Sequence, residues 1–271
     1  MEILNIPAIN ITVFVTVAIA AMLLLIISFL IAFNTSQRKK FQYQQSLLHL
    51  KEEQQNELIR AAVMSEETER HRISDQLHGE VGALLSATRL YLYNLHAEKM
   101  GENENEIFQK SIELLNESIQ KVRFISHNLH SNVLKEFGLN EAIYSFTQKL
   151  NQPGKLDITT QLDESYESRN PEGAISIYRI LQELCGNIIK HSAATQLNIQ
   201  SFVSGGRLRF VIKHNGEGLT QPEFEKLRYE KKGLGLKNIQ NRIILLKGSI
   251  LFERIGDENI IAFTIPLSSD V

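Results

Sequence analysis

The longest apolar run of the chain lies near its N-terminus. From Ile11 to Phe33 it reads ITVFVTVAIAAMLLLIISFLIAF, with no charged residue. A membrane-spanning helix needs about 20 such residues. The basic cluster Arg38-Lys39-Lys40 follows this run. Since positive charge stays cytoplasmic, we expect residues 1–10 to be a short extracytoplasmic segment, 11–33 to cross the cytoplasmic (inner) membrane once, and the later domains to be cytoplasmic. A signal peptide, with its basic front and shorter apolar core, is the competing interpretation.

Residues 34–68 are polar and rich in Gln, Glu and Leu, and Phe41–Glu69 contains no glycine or proline. This composition predicts a cytoplasmic helical linker with coiled-coil character that continues from the membrane span. Its heptads are imperfect, so a solvated single helix remains the alternative.

Two regular seams of apolar positions follow, within residues 69–135. The spacing alternates between four and three residues, as at the a and d positions of a coiled coil. The first seam comprises Leu77, Val81, Leu84, Thr88, Tyr91 and Leu95, and the second comprises Phe108, Ile112, Leu115, Ile119, Val122, Ser126 and Leu129. The polar break Met100–Asn105 predicts the turn of a helical hairpin.

Two hairpins would cover both seams as a four-helix bundle, so we expect a homodimer. Packing of the hairpin on its own downstream domain is the alternative.

Residues 136–271 have a different pattern. Short alternating or apolar runs predict strands at Lys155–Leu162, Gln196–Val203, Arg207–Lys213, Ser249–Arg254 and Asn259–Ile265. Ser204-Gly205-Gly206 predicts a hairpin turn. Helical patterns cover Glu172–Lys190 and Leu236–Leu246. These elements predict an α+β domain with mainly antiparallel strands and helices on one face.

Three polar clusters of this domain have residue types that suit a metal-bound polyphosphate. In ELCGNIIKH, the side chains of Glu183, Asn187 and Lys190 or His191 share one helical face. The apolar residues Leu184, Ile188 and Ile189 take the other face. An asparagine oxygen is acceptable to Mg²⁺, which prefers few protein ligands together with phosphates and water. An ordinary amphipathic helix is the alternative for this cluster alone.

The other two clusters contain glycines. HNGEG, from His214 to Gly218, follows a predicted strand, and glycine permits positive φ and close backbone approach. In KKGLGLKNIQNRI, Gly233 and Gly235 precede a helix, whose free N–H groups favour phosphate. Either motif alone also occurs in ordinary turns; the three clusters in this order are far more specific.

Composition narrows the functional classes. The chain has 271 residues and a formal net charge of −2, which gives no support for direct nucleic-acid binding. Its one cysteine, Cys185, excludes an intrachain disulfide framework and is typical of a buried apolar position.

The segment ERHRISDQLHGEVG, from Glu69 to Gly82, places one histidine beside the first seam. Leu77 falls on a d position, so His78 falls on the neighbouring e position, at the flank of the expected bundle. That position exposes the imidazole to water and to a docking partner. A lone helical histidine is more often an ordinary surface residue.

Together these motifs resemble the histidine kinases of two-component signalling. The match is closest to the subfamily whose phosphoacceptor segment reads Glu-Arg-x-Arg-Ile-x-x-x-Leu-His-Asp-x-x-Gly. The C-terminal clusters resemble the Bergerat-type ATP-binding fold that these kinases share with gyrase and Hsp90-like ATPases. The resemblance extends from about Glu69 to the C-terminus and implies an ATP-binding catalytic domain over residues 136–271.

The resemblance implies roles for individual residues. His78 is the implied phosphoacceptor, with Glu183 among the catalytic residues and Asn187 as the Mg²⁺ ligand. The implied ATP-binding residues are Asn187, Lys190, His191, His214, Asn215, Gly216, Gly218, Gly233 and Gly235. The family further implies a homodimer and a response regulator with a helix-turn-helix output.

Three positions depart from the family pattern. Gly79 stands where the family usually has an acid after the phosphoacceptor, and Glu80 and Asp75 are the candidates to take its place. We expect Asp75, because it shares a helical face with His78 whereas Glu80, two residues after His78, does not. A glutamine associated with phosphatase activity in related kinases is Ala83. The aspartate that accepts a hydrogen bond from the adenine amino group is His214, and a neutral imidazole nitrogen can accept the same bond.

The sequence thus predicts a membrane-bound sensor kinase that phosphorylates His78 with ATP and transfers the phosphoryl group to an aspartate of a response regulator. A catalytically silent nucleotide-binding membrane scaffold is the alternative. A stand-alone ATPase leaves the hairpin and His78 without a role.

Overall fold

The computed structural model describes residues 11–94, 102–129, 132–151, 154–168, 170–230, 234–256 and 258–267. The chain divides into two units, Met1–Glu57 and Leu58–Val271. The described part of the first unit is helical throughout and belongs to α1 (Ile11–Gln76). By length and composition, one helix in the described part of the chain is apolar enough to cross a membrane; a signal sequence near the N-terminus would meet the same criterion.

In the second unit, the helical hairpin follows α1. A π-helical turn (Leu77–Val81) leads into α2 (Gly82–Tyr93), and α3 (Glu102–Leu129) packs against both. Of the predicted turn at Met100–Asn105, Met100 and Gly101 lie outside the described residues. The prediction is wrong for Glu102–Asn105, because these residues already belong to α3.

The two seams of the hairpin differ in burial within one chain. On α3, Ile112, Ile119 and Ser126 are buried. The Ser74 hydroxyl of α1 donates to the Ser126 carbonyl oxygen at 2.9 Å, which ties the two helices together. On the first seam, in contrast, the side chains of Leu84 and Tyr91 are 70% and 75% exposed. The hairpin therefore leaves one apolar stripe uncovered, and the four-helix bundle stays a prediction.

The helix α4 (Asn132–Leu150) connects the hairpin to the α+β half and contains a sharp kink. Gly138 has φ of 83°, a left-handed conformation that glycine adopts without steric cost. The segment after the kink places Leu139, Ile143 and Phe146 in the core of the α+β half.

Among its described residues, the α+β half has five strands in one sheet: β1 (Asp157–Gln161), β2 (Gln196–Ser204), β3 (Arg207–His214), β4 (Ser249–Ile255) and β5 (Glu258–Pro266). Their order is β1-β2-β3-β5-β4. Three pairings are antiparallel, as predicted, but β1 pairs with β2 in parallel, so the sheet is mixed. The predicted turn between β2 and β3 is confirmed, since Gly205 and Gly206 have φ of 57° and 70°.

The apolar face of this sheet is covered by α4 together with α5 (Pro171–His191), α6 (Gln221–Leu227) and α7 (Leu234–Leu245). The boundaries of α5 and α7 agree closely with the predicted helices Glu172–Lys190 and Leu236–Leu246. The start of α5 is set by Asn170, whose side chain accepts hydrogen bonds from the backbone of Glu172 and Gly173. Stacked rings fill the core, with Phe210 and Phe263 at 4.9 Å between centroids.

Candidate functional site

The polar face of α5 is the first part of the candidate site. Glu183 and Asn187 are half-buried on this face, and Lys190 and His191 are exposed beyond them. Leu184 and Ile188 are buried in the core, as predicted. Ile189, which was predicted to share that apolar face, is 41% exposed instead. The helix therefore presents a narrow polar stripe at the edge of the core.

The glycines after β3 allow two very close approaches. A Cβ atom on Gly216 would lie 2.2 Å from the Ser192 carbonyl oxygen, and one on Gly218 would lie 2.2 Å from Asn259 Oδ1. Two hydrogen bonds hold this turn: Glu217 N donates to Ser192 O at 2.8 Å, and Asn259 Nδ2 donates to Gly216 O at 2.6 Å. Close packing is thus the reason for these glycines. The positive φ that the sequence also allowed occurs at neither of them.

Ser192 and Asn259 were missed by the sequence analysis. Ser192 follows the end of α5, and Asn259 belongs to β5, where it pairs with His214 of β3. Neither position carries a motif. Only the packing of distant segments shows that they shape the glycine turn.

Asn215 is used within this loop. Its Oδ1 accepts hydrogen bonds from the backbone N–H groups of Thr195 and Gln196, both at 3.0 Å, and its Nδ2 donates to Thr195 Oγ1 at 2.8 Å. Asn215 therefore fixes the end of β3 to the start of β2. A direct role in nucleotide binding stays a prediction.

The structure brings Gly235 and Glu183 together. A Cβ atom on Gly235 would lie 1.9 Å from Glu183 Oε1, so the first turn of α7 packs directly on the carboxylate of α5. The other glycine of this cluster, Gly233, lies outside the described residues. Two of the three sequence clusters thus meet at the α5–α7 contact.

His214 ends β3 on the face of the sheet that the helices cover. Its side chain is only 4% exposed, and its Nδ1 has no hydrogen-bond partner in the described part of the chain. Burial lowers the pKa of His214, so the imidazole is neutral at physiological pH. An unpaired buried nitrogen costs free energy, which a hydrogen-bonding ligand would recover.

His78 lies within the π-helical turn, where its side chain is exposed, as its flank position predicted. Single π turns inside α-helices often occur at functional sites. Asp75 is also exposed, and no hydrogen bond joins it to His78 among the residues that the structure describes. The role of Asp75 therefore stays a prediction.

A cleft of about 280 Å³ lies between α1, α3 and α4 on one side and the polar face of α5 on the other. Its lining residues are Arg70, Ile125, Leu129, Phe146, Arg179, Gln182 and Glu183. Arg179 precedes Glu183 by one helical turn, so the stripe of α5 begins earlier than the sequence analysis placed it. Spacing alone would have found this arginine.

A family model described as histidine kinase-, DNA gyrase B- and HSP90-like ATPase matches residues 172–269. These residues are therefore an ATPase domain of the type that histidine kinases share with DNA gyrase B and HSP90. The matched range contains α5, the glycine turn and α7, and so all three sequence clusters.

Three curated relatives extend the similarity of this ATPase domain to the helical part of the chain. Sensor histidine kinase MctS of Rhizobium johnstonii is 28% identical over 72% of this chain and 42% of its own length. The histidine-protein kinase/phosphatase UhpB of Salmonella typhimurium is 25% identical over 76% of this chain and 42% of its own. The histidine-protein kinase/phosphatase DegS of Brevibacillus brevis is 21% identical over 77% of this chain and 54% of its own. The comparisons support a two-component sensor histidine kinase and confirm the resemblance seen in the sequence. The chain spans about half the length of these relatives.

Solved histidine kinases show weaker similarity. Acinetobacter baumannii histidine kinase AdeS is 21% identical, with a TM-score of 0.40 over 72% of this chain and 98% of that chain. The Erythrobacter litoralis EL346 blue-light activated histidine kinase is 17% identical, with a TM-score of 0.43 over 73% of this chain and 61% of that chain.

Proposed function

We propose that this protein is a membrane-bound sensor histidine kinase that phosphorylates His78 with ATP and passes the phosphoryl group to an aspartate of a response regulator. The observation that carries the proposal is the presence, in one chain, of a matched ATPase domain and an exposed histidine in a π-helical turn of the helical hairpin. The kinase names of the relatives support the same reaction class.

The residues of the ATPase domain fit a nucleotide. Gly216 and Gly218 have no room for a Cβ atom, because Ser192 and Asn259 pack against them, and this packing holds in place the turn that we propose to border the base. The unpaired, buried Nδ1 of His214 suits a hydrogen bond to the base. Asn187 would hold Mg²⁺, which would neutralise phosphate charge when bound; oxygen donors of this kind suit that ion. Lys190 and His191, which are exposed on the same helix, are proposed to contact the phosphates.

The chain's own residues would carry out two transfers. In the first, one ring nitrogen of His78 attacks the γ-phosphorus, a N–P bond forms, and the bond to the β–γ bridging oxygen breaks with release of ADP. The ring proton is then lost to a base, for which Asp75 is the proposed acceptor, and Glu183 is proposed to assist in the same step. In the second, a carboxylate oxygen of the regulator attacks the same phosphorus, and the N–P bond breaks. Phosphoryl transfer of this kind depends mainly on positioning and charge neutralisation.

The remaining parts of the chain support a signalling arrangement. We propose a homodimer whose hairpins form a four-helix bundle, a single membrane span at residues 11–33, and a regulator partner with a helix-turn-helix output. The uncovered stripe at Leu84 and Tyr91 supports the dimer. The apolar run of α1 supports the span.

The kinase proposal is tested with the full chain in detergent, Mg²⁺ and ATP radiolabelled at the γ-phosphate. We expect a protein-bound label that is stable to base and labile to acid, as phosphohistidine is. The label should disappear in His78→Gln. It should persist in His49→Gln, which removes an exposed histidine of α1 that forms a local contact with Glu53.

Nucleotide binding without any label would contradict the kinase and favour the silent scaffold. A label that survives His78→Gln would place the phosphoacceptor elsewhere. Purified response regulators would then be added to the labelled protein, because transfer should move the label to the regulator in a form labile to base.

A further inference from the structure

One buried carboxylate of α1 joins two arginines of the ATPase domain. Glu67 is 8% exposed. Its Oε1 accepts from Arg179 Nε at 2.9 Å and from Arg242 Nη2 at 2.9 Å, and its Oε2 accepts from Arg179 Nη2 at 3.0 Å. Glu66 adds a contact of 3.0 Å to Arg242 Nη2. We call Glu66, Glu67, Arg179 and Arg242 the Glu67 cluster.

The two arginines belong to the helices that carry the candidate nucleotide site. Arg179 lies on α5, one turn before Glu183 and two turns before Asn187. Arg242 lies on α7, about two turns after Gly235. The same carboxylate thus connects α1, which leads into the turn of His78, to both helices that flank the site.

The buried charges of the Glu67 cluster depend on one another for stability. Burial raises the pKa of Glu67, but the hydrogen bond from Arg179 and the charges of Arg179, Arg242 and Arg70 outweigh burial and hold that pKa below its usual value. Glu67 is therefore ionised at neutral pH. Loss of this charge would leave the buried guanidinium groups of Arg179 and Arg242 without their main partner. The contact between α1 and the ATPase domain, which we call the docked arrangement, would then be strongly disfavoured.

In the docked arrangement, Glu183 of the candidate nucleotide site lies near Arg70 of α1 and not near His78. Glu183 and Arg70 line the same cleft, and His78 is not among the described residues that line it. Arg70 precedes His78 by eight residues, which is about 12 Å along a helix. Transfer requires reacting atoms about 3–3.5 Å apart. A phosphoryl group held beside Glu183 would thus have to move along the helix to reach the imidazole.

We propose that the Glu67 cluster holds the ATPase domain in a resting arrangement and that phosphorylation of His78 requires this cluster to open. The inference rests on the proposed kinase function. It identifies Glu67 as a positioning residue, which acts through Arg179 and Arg242 on the distance between the nucleotide site and His78.

The test compares Glu67→Gln with the unchanged chain, both full-length in detergent. Glutamine keeps the shape of the side chain and removes its charge. We expect the initial rate of His78 phosphorylation to rise at least about fivefold, the lower end of typical coupling between sites. The affinity for a fluorescent ATP analogue should stay within about twofold, since Glu67 is not placed in the nucleotide site.

Two further variants separate positioning from general destabilisation. Glu67→Asp keeps the charge and should remain closer to the unchanged chain than to Glu67→Gln. Glu117→Gln removes a glutamate from an exposed i,i+4 pair with Lys121 on α3 and should leave the rate unchanged. Hydrogen exchange of α1 around Glu67 should increase in Glu67→Gln and not in Glu117→Gln.

A rate in Glu67→Gln that is equal to or lower than that of the unchanged chain, with nucleotide binding intact, would overturn the resting role. Absence of label in both proteins would overturn the kinase proposal itself and the inference with it. The two failures are distinguishable because only the first leaves a labelled unchanged chain.

Discussion

At the scale of single residues, glycines, which have no side chain, shape the site as much as the polar side chains do. Gly218 has space for a hydrogen atom but not for a methyl group beside Asn259 Oδ1. Gly186, in the interior of α5, has open space around its Cα instead. Because the surroundings of the two glycines differ, substitution by alanine should change the stability in opposite directions at the two positions.

We predict that Gly218→Ala lowers the free energy of unfolding by about 1–3 kcal/mol, as overpacking does, and weakens ATP binding because the turn must shift. Gly186→Ala should raise that free energy by about 0.5–1 kcal/mol, since alanine is the better helix residue. Thermal unfolding and nucleotide titration measure both effects. Equal stability of the two variants would show that the contact between Gly218 and Asn259 is not tight.

Sequence patterns were informative about residue types and less so about partners. The helical stripe of Glu183 and Asn187 and the exposure of His78 follow from spacing, because a helix repeats every 3.6 residues. The contact between Gly235 and Glu183 does not, because it joins segments about 50 residues apart.

At the scale of elements, the two seams of the hairpin differ in burial: the second seam packs within one chain, and the first seam is exposed. Ile112 and Ile119 of α3 are buried within one chain, whereas Leu84 and Tyr91 on the other seam remain exposed. An exposed apolar stripe of this kind is typical of an interaction surface. The pattern supports the proposed dimer, although both seams have the same spacing in the sequence.

We predict that the double substitution Leu84→Glu and Tyr91→Glu weakens the homodimer at least about 100-fold, because burial of two apolar side chains per chain is lost. Sedimentation in detergent measures the association. Tyr93→Glu changes a residue that is also exposed but lies off the seam, and it should leave association unchanged. A dimer that tolerates the double substitution would place the interface elsewhere.

At the scale of the whole molecule, the apolar run of α1 determines where the protein resides. The run satisfies the length and composition of a membrane span, and a signal sequence satisfies them as well. The two cases differ in the mature chain, because a signal peptide is removed.

We predict that the chain is found intact in the membrane fraction. Leu24→Arg together with Leu25→Arg should shift it towards the soluble fraction, because each central arginine costs about 2.5–3.5 kcal/mol in insertion. Mass spectrometry of the N-terminus and extraction with alkaline carbonate provide the measurement. A shortened chain in the soluble fraction would support the signal peptide.

The sequence by itself determined the apolar run, the five strands and the helices α5 and α7 of the ATPase domain, the turn at Gly205 and Gly206, and the face on which His78 lies. These features depend on neighbouring residues, so local periodicity and turn chemistry are sufficient to predict them. Only the tertiary structure decided the parallel pairing of β1 with β2. Only the tertiary structure joined Glu67 to Arg179 and Arg242, which lie 112 and 175 residues further along the chain. Periodicity states which face of an element is polar or apolar, but the partner of that face is chosen by packing between segments that are distant in the chain.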